Sequence, residues 1–258
     1  MRGLCRGAGL RLALVTVILS AGPVRADLVE TIERIKPAIV AVGSYKATNS
    51  PPYMMRGTGF VVGNGNLVAT NAHVVAPTAD QDGAALMVQV RVSANDSQLR
   101  PARVLAVDRE HDLALLRIEG VALPRMTLSA SDNVREGQGV AFTGFPIGAA
   151  LGFSPVTHRG IVSAITPIAL PMPNAQRLNE KVIQRLKNGS FLIYQLDATA
   201  YPGNSGSPVF DPETGEVFGV INMVFVKGSK EAALTQPSGI AYAIPAGFLQ
   251  SLLSAASR

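Results

Sequence analysis

The chain has 258 residues, 47% of them hydrophobic, which is enough for one or two units with cores of their own and excludes a disordered protein. Its formal net charge is +5, but the first 26 residues contain no acid and supply four of the basic residues, Arg2, Arg6, Arg11 and Arg25. Since no run of Lys and Arg and no Trp occurs in the rest, the composition does not predict a nucleic-acid partner.

Residues 1–26 have the pattern of a secretory signal peptide. A basic start, "MRGLCRGAGLR", precedes the apolar core "LALVTVILSA", and "GPVRA" places Val24 and Ala26 where small residues precede a cleavage site. An uncleaved anchor is less favoured because a membrane span needs roughly 20 apolar residues. The only cysteine, Cys5, would leave with the leader. The mature chain is therefore predicted to be exported, with no membrane segment, disulfide, thiol nucleophile or cysteine metal site.

A short helical segment over 27–36, ended by Pro37, is predicted to open the mature chain. Val-rich runs bordered by Gly, Asn or Asp follow within 37–118, the first unit. Such short, regularly spaced runs are typical of strands in a sandwich or barrel. The polar stretch 119–137 interrupts the pattern and is interpreted as a linker.

The strand pattern resumes over 138–245, the second unit, and a predicted helix covers 246–258. Within the second unit, 174–189 has apolar residues at helical spacing, and Asn174 and Gly189 are able to cap its ends. This segment is interpreted as a helical insertion, either a surface helix or a lid. The apolar faces consist of Leu178, Val182, Ile183 and Leu186 in the insertion and of Phe248, Leu249, Leu252 and Leu253 in the terminal helix.

Three histidines are candidates for a general base. His73 ends a strongly apolar run, "LVATNAHVV", so a rigid strand would support its imidazole. His111 lies in the charged stretch "VDREHD" and is expected in a solvated turn, and His158 is expected to be exposed before a strand. His73 is therefore the favoured base.

Among the nearby acids, Asp112 is the favoured partner of that base. It directly precedes "LALLRI", a run that must be buried, and a carboxylate at the mouth of such a strand needs a hydrogen-bond partner. An imidazole Nδ1–H is such a partner, and the pairing leaves Nε2 free to accept a proton. Asp108 and Glu110 are interpreted as surface charges.

Ser205, in "ATAYPGNSGSPVF", is the candidate nucleophile. That run alone predicts a turn, and a serine becomes a nucleophile only when a base and an orienting acid are also present. Three blocks in the order His, Asp, Ser, namely "TNAHVV", "HDLALL" and "GNSGSP", resemble the triad blocks of the trypsin-like serine proteases of the HtrA/Deg type. Similar text covers most of residues 35–247.

The resemblance implies an all-β fold of two six-stranded antiparallel β-barrels, with a C-terminal helix and a helical insertion in the second barrel. The active site would lie between the barrels. Ser205 would attack the peptide carbonyl, His73 would transfer the proton and Asp112 would stabilise the imidazolium. The N–H groups of Gly203 and Ser205 would form the oxyanion hole.

By the same resemblance, the substrate-binding residues are Thr199, Asn222, Met223 and Val224 in the primary specificity pocket. No carboxylate stands at the pocket floor, so we expect a small or medium aliphatic side chain to be preferred over Lys or Arg. Ser207 departs from the usual second Gly of the serine block, a change behind the nucleophile that is expected either to shift the backbone or to narrow the adjoining subsite.

The function implied is that of an exported serine endopeptidase acting on unfolded or misfolded polypeptides, with the periplasm favoured over the medium. No metal and no cofactor are expected. No PDZ domain is expected after the protease unit, and a mature start without an aromatic residue before Tyr45 does not support a trimer. The alternative is a catalytically silent or latent scaffold of the same fold that binds peptides or partner proteins.

Overall fold

The computed structural model describes residues 27–76, 83–93, 96–130, 133–147, 152–167, 191–222 and 239–256. The predicted leader, the helical insertion over 174–189 and the pocket residues Met223 and Val224 lie outside the described residues. Within the described part of the chain, no helix is long and apolar enough to cross a membrane.

The first group of Val-rich segments forms a closed antiparallel barrel. Its strands are β1 Ile39–Tyr45, β2 Tyr53–Val62, β3 Leu67–Asn71, β4 Ala85–Arg91, β5 Ser97–Asp108 and β6 Leu113–Ile118. Their order around the barrel is β1-β2-β3-β6-β5-β4, so β1 pairs with β4 and β3 pairs with β6. Strands β3 and β6 are buried almost throughout, and the site residues are attached to their ends.

The second barrel has the same design. Its strands are β7 Gly139–Gly144, β8 Val156–Pro167, β9 Leu192–Asp197, β10 Pro208–Phe210, β11 Val217–Ile221 and β12 Ile240–Pro245. They close in the order β10-β11-β12-β9-β8-β7, again with antiparallel neighbours. The predicted fold class, all-β with two six-stranded antiparallel barrels and a C-terminal helix, is confirmed.

The described helices flank the barrels. They are α1 Leu28–Ile35, α2 Ala72–Val75 and α3 Ala246–Ala256. A 3-10 turn over Lys36–Ala38 continues α1, with Pro37 near its start, where the missing N–H costs nothing. Helix α1 also contacts the second barrel, because Arg34 donates a hydrogen bond to the Thr214 carbonyl at 2.7 Å. The predicted helical segment 27–36 extends one residue beyond the observed α-helix at each end.

One apolar cluster joins the two barrels. Phe60 and Leu115 of the first barrel belong to it together with Phe210 and Ile244 of the second, and Leu249 of α3 completes it. All five side chains are fully buried. Because these residues pack as one core, the facing ends of the barrels are held in a defined relation, and the candidate site lies where they meet.

Candidate active site

His73 lies on the single turn of α2, directly after the buried strand β3. This helical turn is not predicted from the sequence, which places His73 at a strand end. The segment before it is bonded to the turn that precedes the neighbouring strand β6: the Asp112 carbonyl accepts hydrogen bonds from Ala72 N and from Asn71 Nδ2, each at 3.0 Å. These bonds hold the backbone that leads to His73 next to Asp112.

Asp112 lies in the turn between β5 and β6, with φ at 52°, a left-handed conformation that Asp tolerates better than most residues. Its Oδ1 accepts from His73 N at 2.8 Å, and its Oδ2 accepts from His73 Nδ1 at 2.6 Å. Because an ionised carboxylate only accepts, Nδ1 carries the proton, and Nε2 is the nitrogen able to take another. The His73 side chain is 33% exposed, so it is reachable from solvent.

Asn222 follows β11 of the second barrel and contacts the same carboxylate. Its Nδ2 donates to Asp112 Oδ2 at 2.7 Å, and its backbone N donates to the Tyr242 carbonyl at 2.9 Å. The residue is fully buried. Where the resemblance places Asn222 among the pocket residues, the structure places its carboxamide on Asp112. Thr199, another predicted pocket residue, is half-buried in the segment after β9.

Ser205 lies in the segment between β9 and β10, whose residues 201–207 we call the Ser205 loop. Ser205 is 6% exposed, and its carbonyl accepts a hydrogen bond from Thr58 N at 2.8 Å. Gly206 has φ at 86°, and a Cβ on it would lie 2.1 Å from the Thr58 carbonyl oxygen. Only glycine therefore allows the loop to approach β2 this closely.

Some backbone N–H groups of the Ser205 loop donate hydrogen bonds within the described structure, and others do not. Asn204 N donates to the Tyr201 carbonyl, and Ser207 N donates to the Asn204 carbonyl, each at 2.9 Å. Among the described residues, no acceptor is bonded to the N–H of Gly203 or of Ser205. Two unengaged donors separated by one residue, on a loop that carries a serine, are what an oxyanion hole requires.

His73 and Ser205 come from different barrels, and the elements that carry them both contact Gly57. A Cβ on Gly57 would lie 2.7 Å from a Val74 methyl group and 2.9 Å from the Ser205 carbonyl oxygen, so α2 and the Ser205 loop meet there. Within the described part of the chain, no hydrogen bond joins Ser205 Oγ to His73. Such catalytic hydrogen bonds often tighten only when substrate binds.

Thr58 and Arg56, both on β2, contact the site and are not predicted from the sequence. The Thr58 hydroxyl donates to the Gly203 carbonyl at 2.8 Å and accepts from Phe145 N at 3.0 Å. Arg56 Nη2 donates to the His73 carbonyl at 3.4 Å, and burial lowers the pKa of Arg56 below its ordinary value. The only sequence signal for Thr58 is its place between two glycines.

The other two histidines differ from expectation. His111 is not solvated: it stacks on Phe248 of α3 with ring centroids 3.7 Å apart, and its Nδ1 contacts Asp108 Oδ2 at 2.6 Å. Asp108 is therefore a partner of His111 as well as a surface charge. His158 is half-buried and stacks on Phe142 at 4.9 Å, because β8 pairs with β7 at that position. Neither imidazole contacts the His73 pair.

Comparisons with known proteins agree with the geometry. The family description "Trypsin-like peptidase domain" matches residues 57–220. The mitochondrial serine protease HTRA2 of Drosophila pseudoobscura pseudoobscura is 32% identical over 210 residues, which cover 81% of this chain and 41% of that protein. The probable periplasmic serine endoprotease DegP-like of Marinomonas sp. (strain MWYL1) is 31% identical over 197 residues, which cover 76% of this chain and 34% of that protein. The chain thus spans about two fifths or less of the length of these relatives.

Solved structures are similar in fold. The HtrA-type protease AlgW with tripeptide has a TM-score of 0.63 and 25% identity, over 88% of this chain and 62% of that chain. The crystal structure of Deg5 has a TM-score of 0.61 and 25% identity, over 86% of this chain and 90% of that chain.

Proposed function

The chain belongs to the trypsin-like peptidases of the HtrA type, and from that premise we propose that it is a serine endopeptidase acting through His73, Asp112 and Ser205. The observation that carries the proposal is the 2.6 Å contact between His73 Nδ1 and Asp112 Oδ2, which orients Nε2. The Ser205 loop supports it, because the N–H groups of Gly203 and Ser205 are unengaged by described residues. A base with its orienting acid and an oxyanion site are the parts that acyl transfer needs.

The reaction follows from these positions. Ser205 Oγ attacks the peptide carbonyl as His73 Nε2 takes its proton, and the developing oxyanion accepts hydrogen bonds from the N–H groups of Gly203 and Ser205. The imidazolium then gives its proton to the leaving amine, which produces an acyl-enzyme that water hydrolyses by the same steps in reverse. Asp112, itself bonded to Asn222, stabilises the imidazolium.

The substrates we propose are unfolded or misfolded polypeptides, cleaved after small or medium aliphatic side chains. Support comes from the residues around Thr199: Ala198 and Ala200 are each 6% exposed, and the stretch from Thr199 to Ser205 contains no acid. Sequencing the products of an unfolded protein such as casein tests this preference. Cuts made mainly after Lys or Arg would contradict it.

We propose that the mature protein acts after export, in the periplasm. The support is the leader pattern of residues 1–26 and the name of a relative described as a probable periplasmic endoprotease. Fractionation of cells that produce the full chain, followed by N-terminal sequencing, tests the proposal. A mature chain that begins at Asp27 in the periplasmic fraction is the expected result.

Covalent labelling tests the enzyme proposal directly. A fluorophosphonate should modify the wild type, with mass spectrometry placing the adduct on Ser205, and should leave Ser205→Ala unlabelled. Ser254→Ala, which removes an exposed serine of α3, should label like the wild type. A folded wild-type protein that is not labelled, in the presence or absence of an unfolded substrate, would favour the silent scaffold.

A further inference from the structure

Thr58 is fully buried on β2, yet all of its polar groups bond to other segments. Its N–H donates to the Ser205 carbonyl at 2.8 Å, and its hydroxyl donates to the Gly203 carbonyl at 2.8 Å. Its carbonyl accepts from Thr70 Oγ1 at 2.7 Å, and its hydroxyl accepts from Phe145 N at 3.0 Å. Because the hydroxyl both donates and accepts, its direction is fixed.

Each peptide unit of the Ser205 loop is planar, so a hydrogen bond to its carbonyl also sets the direction of its N–H. The unit that carries the Gly203 N–H is held by a bond from Ile147 N to the Pro202 carbonyl, at 2.7 Å. Ile147 has φ at 58°, a conformation that is strained for a β-branched residue and that persists only where the surroundings impose it. The backbone here is therefore arranged to leave the Gly203 N–H unengaged.

The next unit, which joins Gly203 to Asn204, depends on Thr58, and the unit that carries the Ser205 N–H is held by the bond from Ser207 N to the Asn204 carbonyl, at 2.9 Å. The Thr58 hydroxyl holds the Gly203 carbonyl, which turns the Asn204 N–H toward Tyr201 and away from the position of an oxyanion. The Thr58 N–H holds the Ser205 carbonyl on the other side of the serine. Among the described residues, the Thr58 hydroxyl is the side-chain group that bonds a carbonyl of this loop.

The polar side chains of the loop itself do not replace this contact. Both side-chain polar atoms of Asn204 and the Ser207 hydroxyl are buried without a partner among the described residues. Gly144 of the second barrel lies close to both, since a Cβ on it would be 2.0 Å from Ser207 Oγ and 3.0 Å from Asn204 Oδ1. These buried side chains therefore contribute packing, and the side-chain hydrogen bond to the backbone of the loop comes from Thr58.

We propose that Thr58 is a positioning residue. Its hydroxyl fixes the Gly203–Asn204 unit, which lies between the units that carry the N–H groups of Gly203 and Ser205, and so keeps both N–H groups directed at the oxyanion. The inference rests on the proposed function, because it concerns the acyl-transfer step. Thr58 contacts neither substrate nor the reacting atoms. It acts through the Gly203 carbonyl.

Three variants separate the effect of the Thr58 hydroxyl from the effect of side-chain volume. Thr58→Ser keeps the hydroxyl, Thr58→Ala removes it from a side chain of similar size to serine, and Thr58→Val keeps the shape of threonine without the hydroxyl. Should Thr58→Val fail to fold, the Ser and Ala pair carries the test, since the two differ only in the hydroxyl. Circular dichroism establishes which variants fold.

The readouts are kcat and KM for a peptide that the wild type cleaves, and the affinity for a peptide aldehyde of the same sequence, whose hemiacetal oxygen occupies the oxyanion hole. In Thr58→Ala and Thr58→Val, we expect kcat to fall about 10²-fold, the loss typical of a small misplacement of catalytic groups. Aldehyde affinity should fall in parallel while KM changes little, and Thr58→Ser should remain close to the wild type.

The outcomes separate the role of Thr58 from the proposed function. An active wild type in which Thr58→Ala equals Thr58→Ser in kcat and aldehyde affinity overturns this inference and leaves the proposed function standing. A fall in activity that follows thermal stability alone, with aldehyde and peptide binding weakened equally, overturns it as well. A folded wild type that neither cleaves nor labels overturns the proposed function and this inference together.

Discussion

The Asp112 carboxylate is an acid of the first barrel that is also held by the second. Two of its three hydrogen bonds come from His73, its neighbour within the first barrel, and the third comes from Asn222, which follows β11. A carboxylate with donors on both sides has one defined orientation, and the imidazole bonded to it inherits that orientation. Asn222 therefore has a role in positioning His73 that its place in the sequence does not reveal.

Replacing Asn222 by Ala should lower kcat with little effect on KM. A hydrogen bond to a charged group contributes about 1.5–3 kcal/mol, which corresponds to about a ten- to hundredfold change in rate. The imidazole keeps its contact with Asp112, but that carboxylate loses the donor from the second barrel that fixes its orientation, so the loss should fall on kcat. Steady-state kinetics of peptide hydrolysis measure kcat and KM separately.

Two peptides that differ only in the residue before the scissile bond provide the control. The ratio of the two kcat/KM values, one for each peptide, should be the same in Asn222→Ala as in the wild type. If that ratio changes while kcat for the better peptide does not, Asn222 is a wall of the specificity pocket, as the family resemblance implies.

At the scale of residues, the sequence predicts the side chains that the proposed reaction requires. It does not predict the side chains that act through contacts between distant segments. His73 and Asp112 could be selected because a base and a half-buried acid each have a chemical signal, and the structure brings them into contact. Their catalytic roles, with that of Ser205, stay predictions. Thr58 had no such signal, since a threonine in an apolar strand is ordinary and its bond to Gly203 spans 145 positions of sequence.

At the scale of elements, the pairing of β7 with β8 buries a titratable group. His158 lies opposite Phe142 in the register and stacks on it, and its Nε2 is buried without a partner among the described residues. Desolvation by this burial lowers the pKa of His158 below its ordinary value. The strand pair therefore favours the neutral imidazole.

This burial predicts a loss of stability in acid. An unfolded chain takes up a proton on His158 at its ordinary pKa, while the folded chain resists until a lower pH. Stability is therefore fully present above the unfolded pKa and is lost as pH falls through the folded one. The thermal midpoint of the wild type should fall more than that of His158→Phe between about pH 7.5 and about pH 5, the range in which histidine changes charge. Equal losses in both proteins would contradict the prediction.

Which elements could be predicted follows from their length and burial. Strands and α3 carry runs long enough to show period and apolar content, so they are found from the sequence. Helix α2, with four residues, completes no period, and the apolar run before it extends the strand prediction through His73. The stacking of His111 on Phe248 joins β5–β6 to α3, a contact between distant segments that local composition places in solvent.

At the scale of the whole molecule, barrel closure depends on pairings that the order of strands along the chain does not specify. β1 pairs with β4 and β3 with β6, which are not neighbours in sequence. The sequence patterns alone indicate two β units, and the family resemblance supplies the number of strands and the closed form. The candidate site lies where the barrels meet, with His73 and Asp112 on the side of the first barrel and Ser205 and Asn222 on the side of the second.

The apolar cluster shared by the barrels predicts that the two barrels unfold together. Phe145 of the second barrel is 2% exposed, belongs to the apolar cluster that includes Phe60 of the first, and donates its N–H to Thr58. Unfolding of either barrel would expose this shared cluster. Calorimetry should therefore show one transition, with the calorimetric enthalpy equal to the van't Hoff enthalpy.

Phe145→Ala tests the coupling, because it removes a side chain from the shared core without touching Ser205, His73 or Asp112. Truncation of a buried Phe costs about 3–5 kcal/mol, and the midpoint falls by about 2–4 °C for each kcal/mol in a chain of this size. The peak should move as a whole. Val162→Ala, which lies in the separate core of the second barrel, is the matched comparison and should also move a single peak, by less, since fewer atoms are removed. Two resolved peaks in the wild type, or a peak that splits in either variant, would mean that the barrels are independent folding units and that the geometry where they meet is not set by a common core.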